Sequence, residues 1–479
     1  MTTILAGRAI QFLLALLTVR VATSLLSPAE MGKVSLVLTT AAFFALFLVN
    51  PVGMFINRRL HSWQEAGTLR PYLTRYLGYL VAVAAIAAIL LPVLYESGVA
   101  KFGIALPWLL LLVCGSLLFN TVNQTAIPSL NLLGHSGAFV ALTIATIAAG
   151  FMAATALVEW KGPLAEFWLL GLLAGQAVVG AIGTRILFER AGRVSVPGIG
   201  PVGATQMRRL AAFAWPVAIA AGAGWVQSQG YRYLVENHLG LAQLGLFVAG
   251  YGISAGMLAG FESVLTAFFQ PRLYRDANVL TEGERALAWR RYASAVIPSL
   301  MLTVALIVSL APELTRLFLG ERFRTASQFV VWGALSEATR AVIAVYSLVA
   351  HVHMRTRWLI VPGLVGALIA IPLCLLLMRD FGAAGAGMAL TASGLAVVVA
   401  MHLLFARRAG GSALLWPLLA VALATVPLWA AAALVRAILG PTGWPTVVCA
   451  MVCTGAVYVL LQMRLLRRHV AAPAVARPG

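Results

Sequence analysis

Four arginines lie within apolar segments of this sequence, at Arg8, Arg20, Arg232 and Arg340. A guanidinium binds phosphate oxygens through two parallel hydrogen bonds, so these residues are suited to hold a phosphate or pyrophosphate group. An arginine near the middle of a membrane costs about 2.5–3.5 kcal/mol on insertion scales, and some contact must offset that cost. We therefore predict that the four arginines bind a phosphate-bearing anion.

Arg20 and Arg8 each have a structural alternative. Arg20 lies eight residues before the turn at Pro28, which is about 12 Å along a helix and deep for a side chain that must reach water. It can instead extend to the outer headgroups or bond a carbonyl of a neighbouring helix. Arg8 is closer to the cytoplasmic interface and can extend its guanidinium there.

Acidic residues offer local partners to the other two arginines. Glu236 follows Arg232 by four residues and Glu337 precedes Arg340 by three, so an ion pair along the helix is the alternative for both. Glu262 also lies within an apolar segment. It is a candidate for ion coupling, with pairing to an arginine or a place near the headgroups as alternatives.

A set of amides forms a second candidate site, for a glycan. Asn120, Asn123 and Gln124 are spaced i, i+3 and i+4, so they share one helix face. Amides both donate and accept hydrogen bonds, as sugar hydroxyls require, but they also tie helices together. Gln227 is a similar candidate on another segment.

Nothing in the sequence indicates catalysis or a bound metal. The cysteines, Cys114, Cys374, Cys449 and Cys453, all lie in apolar segments without a Cys/His cluster. The G-x-x-x-x-G-K-[ST] loop of nucleotide-driven pumps is missing from the sequence. We therefore expect neither enzyme activity nor a cofactor.

The elements that must position these residues are membrane-spanning helices. Hydrophobic residues make up 61% of the 479 residues and charged residues 10%. About fourteen apolar segments are long enough to cross a bilayer, and the first has no cleavage site of a signal peptide. We predict an all-α polytopic membrane protein with about 14 transmembrane helices. Gly252, Gly256 and Gly260 recur every fourth residue and predict the close approach of another helix.

The basic residues alternate between loops in a way that predicts orientation. With the N-terminus placed in the cytoplasm, 22 of the 34 lysines and arginines fall in inside segments and 8 in outside segments. This asymmetry follows the positive-inside rule, and it predicts that both termini are cytoplasmic. The net charge of +19 is thus explained by topology, and we expect no nucleic-acid partner.

A short motif occurs twice at a shift of 213 residues. The stretch "AEMG" with Ala29 and Gly32 matches "AQLG" with Ala242 and Gly245, and Arg59 maps onto Arg272. A repeat of six helices is typical of transporters in which two halves move about a central site.

Three stretches resemble a known family. "SLLSPAEMGKVSLVLTTAAFF" looks like the L-G-P-x-x-F/Y-G turn of polysaccharide flippases, although Met31 replaces the usual aromatic residue. "FGAAGAGMALTASG" is similar to the G-x-x-G-A-A-x-A entry to their twelfth helix, and "LNLLGHSGAFV" to the turn after the fourth. These are the Wzx-type members of the multidrug/oligosaccharidyl-lipid/polysaccharide exporter superfamily.

The resemblance implies an architecture and a cargo. It implies two pseudo-symmetric six-helix lobes followed by two C-terminal helices: an N-lobe over 1–190, a cytoplasmic linker over 191–208, a C-lobe over 209–408, and spans 13–14 with a basic tail over 409–479. It also implies alternating access for an undecaprenyl-pyrophosphate-linked oligosaccharide in the bacterial inner membrane. The pyrophosphate of this cargo would then be the anion that Arg8, Arg20, Arg232 and Arg340 bind. Its partners would be membrane lipids and the glycan polymerase or chain-length proteins of O-antigen or exopolysaccharide synthesis.

Two other functions compete with this one. Multidrug/cation antiporters of the same superfamily resemble one another in using a carboxylate early in the N-lobe. The first two spans here instead contain arginine and no intramembrane acid. Glycan polymerases and ligases resemble one another in having a large periplasmic loop that carries catalytic residues. No outside segment here exceeds about 20 residues, within the usual range for structureless loops, so a flippase is favoured.

Overall fold

The computed structural model describes residues 2–98, 100–191, 204–279, 285–353, 356–409, 415–441 and 443–470. Within these ranges all regular structure is helical. Among the described residues, twelve helices are long and apolar enough to cross a membrane. Two shorter apolar ones, Ile10–Leu25 and Thr425–Leu439, lie where the sequence places spans one and thirteen. The prediction of an all-α polytopic fold is confirmed.

Packing divides the chain into two compact units, Met1–Gly245 and Leu246–Gly479. The first unit contains ten whole helices and the start of an eleventh. They are α1 Thr2–Leu25, α2 Pro28–Phe44, α3 Asn50–Glu65, α4 Leu69–Glu96, α5 Leu106–Gly115, α6 Thr121–Leu132, α7 Ser136–Lys161, α8 Ala165–Arg190, α9 Ala204–Gln229, α10 Tyr231–Leu239 and α11 Leu241–Val279.

The turn between α1 and α2 forms for local reasons. The Ser27 hydroxyl accepts a hydrogen bond from the Glu30 amide (3.3 Å), and Pro28 is the first residue of α2. Serine at the cap and proline at the first helical position both favour a helix start. Glu30 then binds Lys33 (2.8 Å) and accepts from the amide of Ala165 (2.7 Å), which begins α8. This carboxylate therefore joins the starts of two helices.

The second and fourth spans are each interrupted by a π-helical segment. Ala45–Val49 joins α2 to α3, and Ser116–Asn120 joins α5 to α6. Pro51 is the second residue of α3, the helix that follows the first of these segments. Proline provides no amide to the helix, and π segments often accompany such irregular positions in functional helices.

Small residues do allow one close helix pair, but not at the predicted positions. A Cβ added at Gly171 or Gly175 of α8 would collide with the backbone of α7, at Ala154 and Gly150 respectively. By contrast, no described atom lies within 4 Å of a Cβ added at Gly252 or Gly256. For these two glycines the prediction of close packing was wrong, because the described residues leave open space beside them.

The second unit contains the rest of α11 and seven further helices. They are α12 Arg285–Ser309, α13 Ala311–Phe318, α14 Ser327–Val352, α15 Ile360–Phe381, α16 Ala383–Ala409, α17 Leu415–Leu439 and α18 Trp444–Val470. The last two helices are bound to α12 and α13: the Tyr458 hydroxyl contacts that of Thr303 (2.9 Å), and Arg436 binds both carboxylate oxygens of Glu313 (2.8 and 2.7 Å).

The boundary between the two compact units, after Gly245, lies further along the chain than the lobe boundary that the sequence analysis places at 191–208. Most of that linker, 192–203, lies outside the described residues, as does 471–479 of the basic tail. Helices α9 and α10, which the sequence places in the C-lobe, pack with the first unit. The lobe boundaries remain a prediction.

Candidate transport site

Arg232 lies at the start of α10, which continues the seventh span. Its Nη1 donates to the hydroxyl of Thr39 on α2 (2.7 Å), and its Nε donates to the hydroxyl of Tyr231 (3.2 Å). The side chain is half-buried. The arginine is therefore held between two helices by neutral oxygen atoms.

Other contacts hold α2 against α9 and α10 around this arginine. Trp225 donates its indole N–H to the carbonyl oxygen of Thr39 (3.2 Å). The hydroxyls of Tyr233 and Thr40 lie 2.7 Å apart, and Thr40 donates to the carbonyl oxygen of Leu36 (2.8 Å). Because the one hydroxyl proton of Thr40 is used there, Tyr233 is the donor to Thr40. We call Thr39, Thr40, Trp225, Arg232 and Tyr233 the arginine junction.

The charge of Arg232 is not neutralised by Glu236. That carboxylate is buried and accepts a hydrogen bond from the backbone amide of Lys101 (3.1 Å). Within the described ranges, Arg232 takes part in no ion pair with an acidic side chain. The local pair that the spacing offered as an alternative is thus not formed, and the junction carries a positive charge within a span.

Arg20 lies in α1 and is half-buried. Its carbonyl oxygen accepts hydrogen bonds from the hydroxyls of Thr23 (3.2 Å) and Ser24 (2.8 Å), which follow it on the same helix. Arg8 lies in α1 as well, and its side chain is outside the described part. That Arg20 and Arg232 serve one pyrophosphate remains a prediction.

Arg340 is surrounded by acids in the second unit. Its Nε binds Glu337 one turn earlier on α14 (2.5 Å), and its Nη2 binds Glu262 on α11 (2.7 Å). The Tyr251 hydroxyl donates to the other oxygen of Glu337 (2.5 Å). The ion pair between Glu337 and Arg340 that the spacing predicts is formed. Glu262 also pairs with this arginine, which was one of the alternatives for it. The guanidinium is thus more than neutralised, which favours a structural role over phosphate binding.

The four amides occupy different surroundings. Asn123 is buried: its nitrogen donates to the carbonyl oxygens of Phe119 (2.8 Å) and Gln176 (2.6 Å), and its oxygen accepts from Thr146 (3.1 Å). These bonds join α6 to α8 and α7, so Asn123 serves as a helix tie. Gln124 is exposed and bonds Asn120 (3.3 Å), and Asn120 and Gln227 are half-buried. Glycan binding by these three stays a prediction.

Sequence reasoning missed three hydroxyl groups that lie in the surroundings of Arg232 and Arg340. Thr39, Tyr233 and Tyr251 make the contacts described above, yet none was a candidate. The available signal was the pair Thr39–Thr40 within an otherwise apolar stretch, because neighbouring hydroxyls in a span must find acceptors or donors. Among the described residues, no group of three or more His, Cys, Asp or Glu is placed to hold a metal ion.

Solved structures of two kinds of transporter share this architecture. The chain is similar to the lipid II flippase MurJ in an inward closed conformation, with a TM-score of 0.69, 12% identity, and 98% of this chain and 99% of that chain covered. It is also similar to an inward-facing multidrug resistance MATE family transporter of the MOP superfamily, with a TM-score of 0.61, 13% identity, and 86% and 94% covered.

A MATE structure in the bent conformation has a TM-score of 0.52 at 12% identity, with 88% of this chain and 93% of that chain covered. No protein-family model and no curated protein matches the sequence. At such low identity the likeness establishes the fold and not the cargo, because one fold hosts several functions. The chain thus has the fold of MurJ and of MATE transporters, in line with the superfamily-level resemblance of its sequence.

Proposed function

We propose that this chain is a flippase of the Wzx type, which moves an undecaprenyl-pyrophosphate-linked oligosaccharide across the bacterial inner membrane by alternating access. The observation that carries the proposal is the state of Arg232, a positive charge within a span whose side-chain partners are hydroxyls. Support also comes from the fold, since the similar structure MurJ is a lipid II flippase.

Hydroxyl partners leave such an arginine available for an anion. Thr39 and Tyr231 accept hydrogen bonds from two of its five N–H groups without cancelling its charge, and a phosphate oxygen forms a stronger, charge-assisted bond. Interactions between charges are poorly screened at this depth, so the pyrophosphate gains affinity there. An arginine already held by a carboxylate, such as Arg340, would have to lose that partner first.

The test is complementation of a strain that lacks this protein and its surface glycan. We expect Arg232→Ala and Arg20→Ala each to abolish glycan display at normal protein levels, and Arg20→Lys to restore it in part, because charge is kept while the bidentate fork is lost. Arg185→Ala is the matched control, since Arg185 is an exposed arginine paired with Glu189 at the end of α8. Normal display by the Arg20→Ala/Arg232→Ala double variant would contradict the proposal.

The same strains separate the flippase from a multidrug/cation antiporter. An antiporter expels cationic dyes, and removal of Arg232 would leave that export intact or raise it. A flippase gives no dye efflux above the background of the empty vector. Dye export by the wild-type protein, unchanged in Arg232→Ala, would replace our proposal with the antiporter.

We further propose that Glu262 takes part in ion coupling. Glu262 and Glu337 together bring two negative charges to the one positive charge of Arg340. An intramembrane carboxylate in a cluster with more acidic than basic groups is suited to bind a coupling cation. Release of that ion would in turn change the packing of α11 on α14.

Transport by the protein in vesicles tests this coupling. We expect wild-type transport to depend on a proton or sodium gradient, and Glu262→Gln to transport at a rate that no longer responds to it. Glu321→Gln is the control, because that carboxylate pairs with Arg324 at an exposed site. A Glu262→Gln variant with undiminished gradient dependence would remove Glu262 from coupling while leaving the flippase proposal intact.

A further inference from the structure

An apolar groove runs between α9 and the helices α3 and α4 of the first unit. It encloses about 410 Å³, and its lining includes Val52, Tyr79, Trp215 and Ala218. The one hydroxyl in the lining is satisfied, because Tyr79 donates to the carbonyl oxygen of Leu48 (2.8 Å). The groove thus offers no polar group that needs a partner and suits a hydrocarbon chain.

At one end of the groove, α9 approaches the π-helical segment before α3 closely. The ring of Phe47 lies 3.2 Å from a Cβ added at Gly222, where α9 meets the π-helical segment before α3. From this contact the groove extends toward higher numbers on α3 and lower numbers on α9. That end is the one that the charge distribution predicts to be cytoplasmic.

Both helices carry an arginine on the groove face toward that end. On α3, Val52 and Arg59 are seven residues apart, and on α9, Arg208 precedes Trp215 by seven, so each pair lies on one helix face. Both arginines are exposed. The Arg59 guanidinium lies 5.3 Å from the centre of the Phe55 ring, one turn nearer the groove. Positive charge therefore lies toward the end of the apolar groove that is predicted to be cytoplasmic.

We propose that this groove binds one acyl chain of an anionic phospholipid from the cytoplasmic leaflet, with the lipid phosphate at Arg59 and Arg208. The combination of an apolar groove and two cations matches a lipid that has a negative headgroup. At about 410 Å³ the groove has room for a hydrocarbon chain along its apolar lining. A chain in the groove also supplies the dispersion contacts that an empty groove would lose.

Native mass spectrometry of the full-length protein tests the proposal with dioleoylphosphatidylglycerol and dioleoylphosphatidylcholine as probes. We expect one phosphatidylglycerol to be retained in preference to phosphatidylcholine. Arg59→Gln/Arg208→Gln should lower its affinity about 30-fold, from about fivefold per arginine near the membrane surface. Ala218→Phe should abolish retention of both lipids, because the added ring fills the groove.

Two variants control for charge and bulk alone. Arg464→Gln removes an exposed arginine at the corresponding end of α18, and Ala85→Phe adds a ring on the exposed face of α4. Both should retain phosphatidylglycerol as the wild type does. If Ala218→Phe does not fold, the double arginine variant still decides the matter.

Three results would overturn the proposal. The first is equal retention of the two lipids by the wild type. The second is retention by folded Ala218→Phe or by the double arginine variant at the wild-type level. The third is displacement of phosphatidylglycerol by a polyprenyl phosphate whose binding is also lost in Ala218→Phe and weakened in the double arginine variant. That result would assign the groove to the lipid part of the cargo. None of these results bears on whether Arg20 and Arg232 support glycan display.

Discussion

Gly32 and Gly245 occupy equivalent places in one reciprocal contact. A Cβ added at Gly32 would collide with the carbonyl oxygen of Leu241, and a Cβ added at Gly245 would collide with that of Pro28. Pro28 and Leu241 are the first residues of α2 and α11, and the shift of 213 residues that relates the glycines also relates these two. Such an exchange of partners is the mark of a two-fold relation. The two copies of the sequence motif therefore pack against each other through the first turns of their helices.

Alanine at either glycine should separate these turns. We expect Gly32→Ala and Gly245→Ala each to destabilise the protein by about 1–3 kcal/mol, because a methyl group cannot fit against a backbone carbonyl. Thermal unfolding in detergent measures the effect. Gly224→Ala is the control, since no described atom lies within 4 Å of its added Cβ, and it should gain up to about 1 kcal/mol from reduced backbone entropy. Equal unfolding midpoints for Gly32→Ala and Gly224→Ala would refute the contact.

The Arg436–Glu313 pair should contribute far more to the stability of the fold than an exposed ion pair does. Glu313 is 2% exposed, and Arg436 binds both of its oxygens and the carbonyl oxygen of Ser309 (2.6 Å). Removing one partner leaves a buried charge, so we expect Arg436→Met to cost about 3–5 kcal/mol.

The exposed pair Arg324–Glu321 provides the comparison. It has the same charges but is open to solvent, and Arg324→Met should cost no more than about 1 kcal/mol. A double-mutant cycle with Glu313→Leu then isolates the buried pair, and the double variant should be more stable than Arg436→Met alone. If the double variant is less stable than Arg436→Met, then Glu313 is not an uncompensated charge in that single variant, and our explanation of its cost is wrong.

Substitution of Asn123 should reduce stability, whereas substitution of Gln124 should affect only transport. Asn123→Ala removes bonds to α7 and α8 and leaves the Gln176 carbonyl oxygen without this donor. We expect a loss of about 1–3 kcal/mol in unfolding free energy. Gln124→Ala, on the exposed neighbour, should leave stability unchanged and reduce glycan display if the amide binds sugar. Stable protein with full display from Gln124→Ala would remove it from the glycan site.

The predicted topology places the turn after α3 inside and the turn after α4 outside. In a background without the four native cysteines, a membrane-impermeant thiol reagent should label Ser97→Cys and Arg322→Cys from the outside, but not Ala66→Cys. All three positions are exposed, so accessibility within the protein does not limit labelling. Outside labelling at position 66 would reverse the orientation inferred from the basic residues.

The sequence by itself determined the helices, their turns and the local ion pair. Apolar length predicted the membrane helices, and the cap at Ser27 forms where Ser-Pro occurs. The pair Arg340–Glu337 was predictable as well, because residues three apart on a helix are neighbours whatever surrounds them. The repeated motif also indicated Gly32 and Gly245, although the reason for glycine became visible only in their contact.

Only the tertiary structure decided which distant residues meet. It brought Thr39 to Arg232, Glu262 to Arg340 and Asn123 to Gln176, and it left Gly252 without a neighbour. In water an apolar helix face predicts burial in a core, but in a bilayer the lipid is as apolar as the protein. Hydrophobic pattern therefore cannot distinguish a face that meets another helix from one that meets lipid. That choice depends on shape and on polar contacts formed between helices far apart in the sequence.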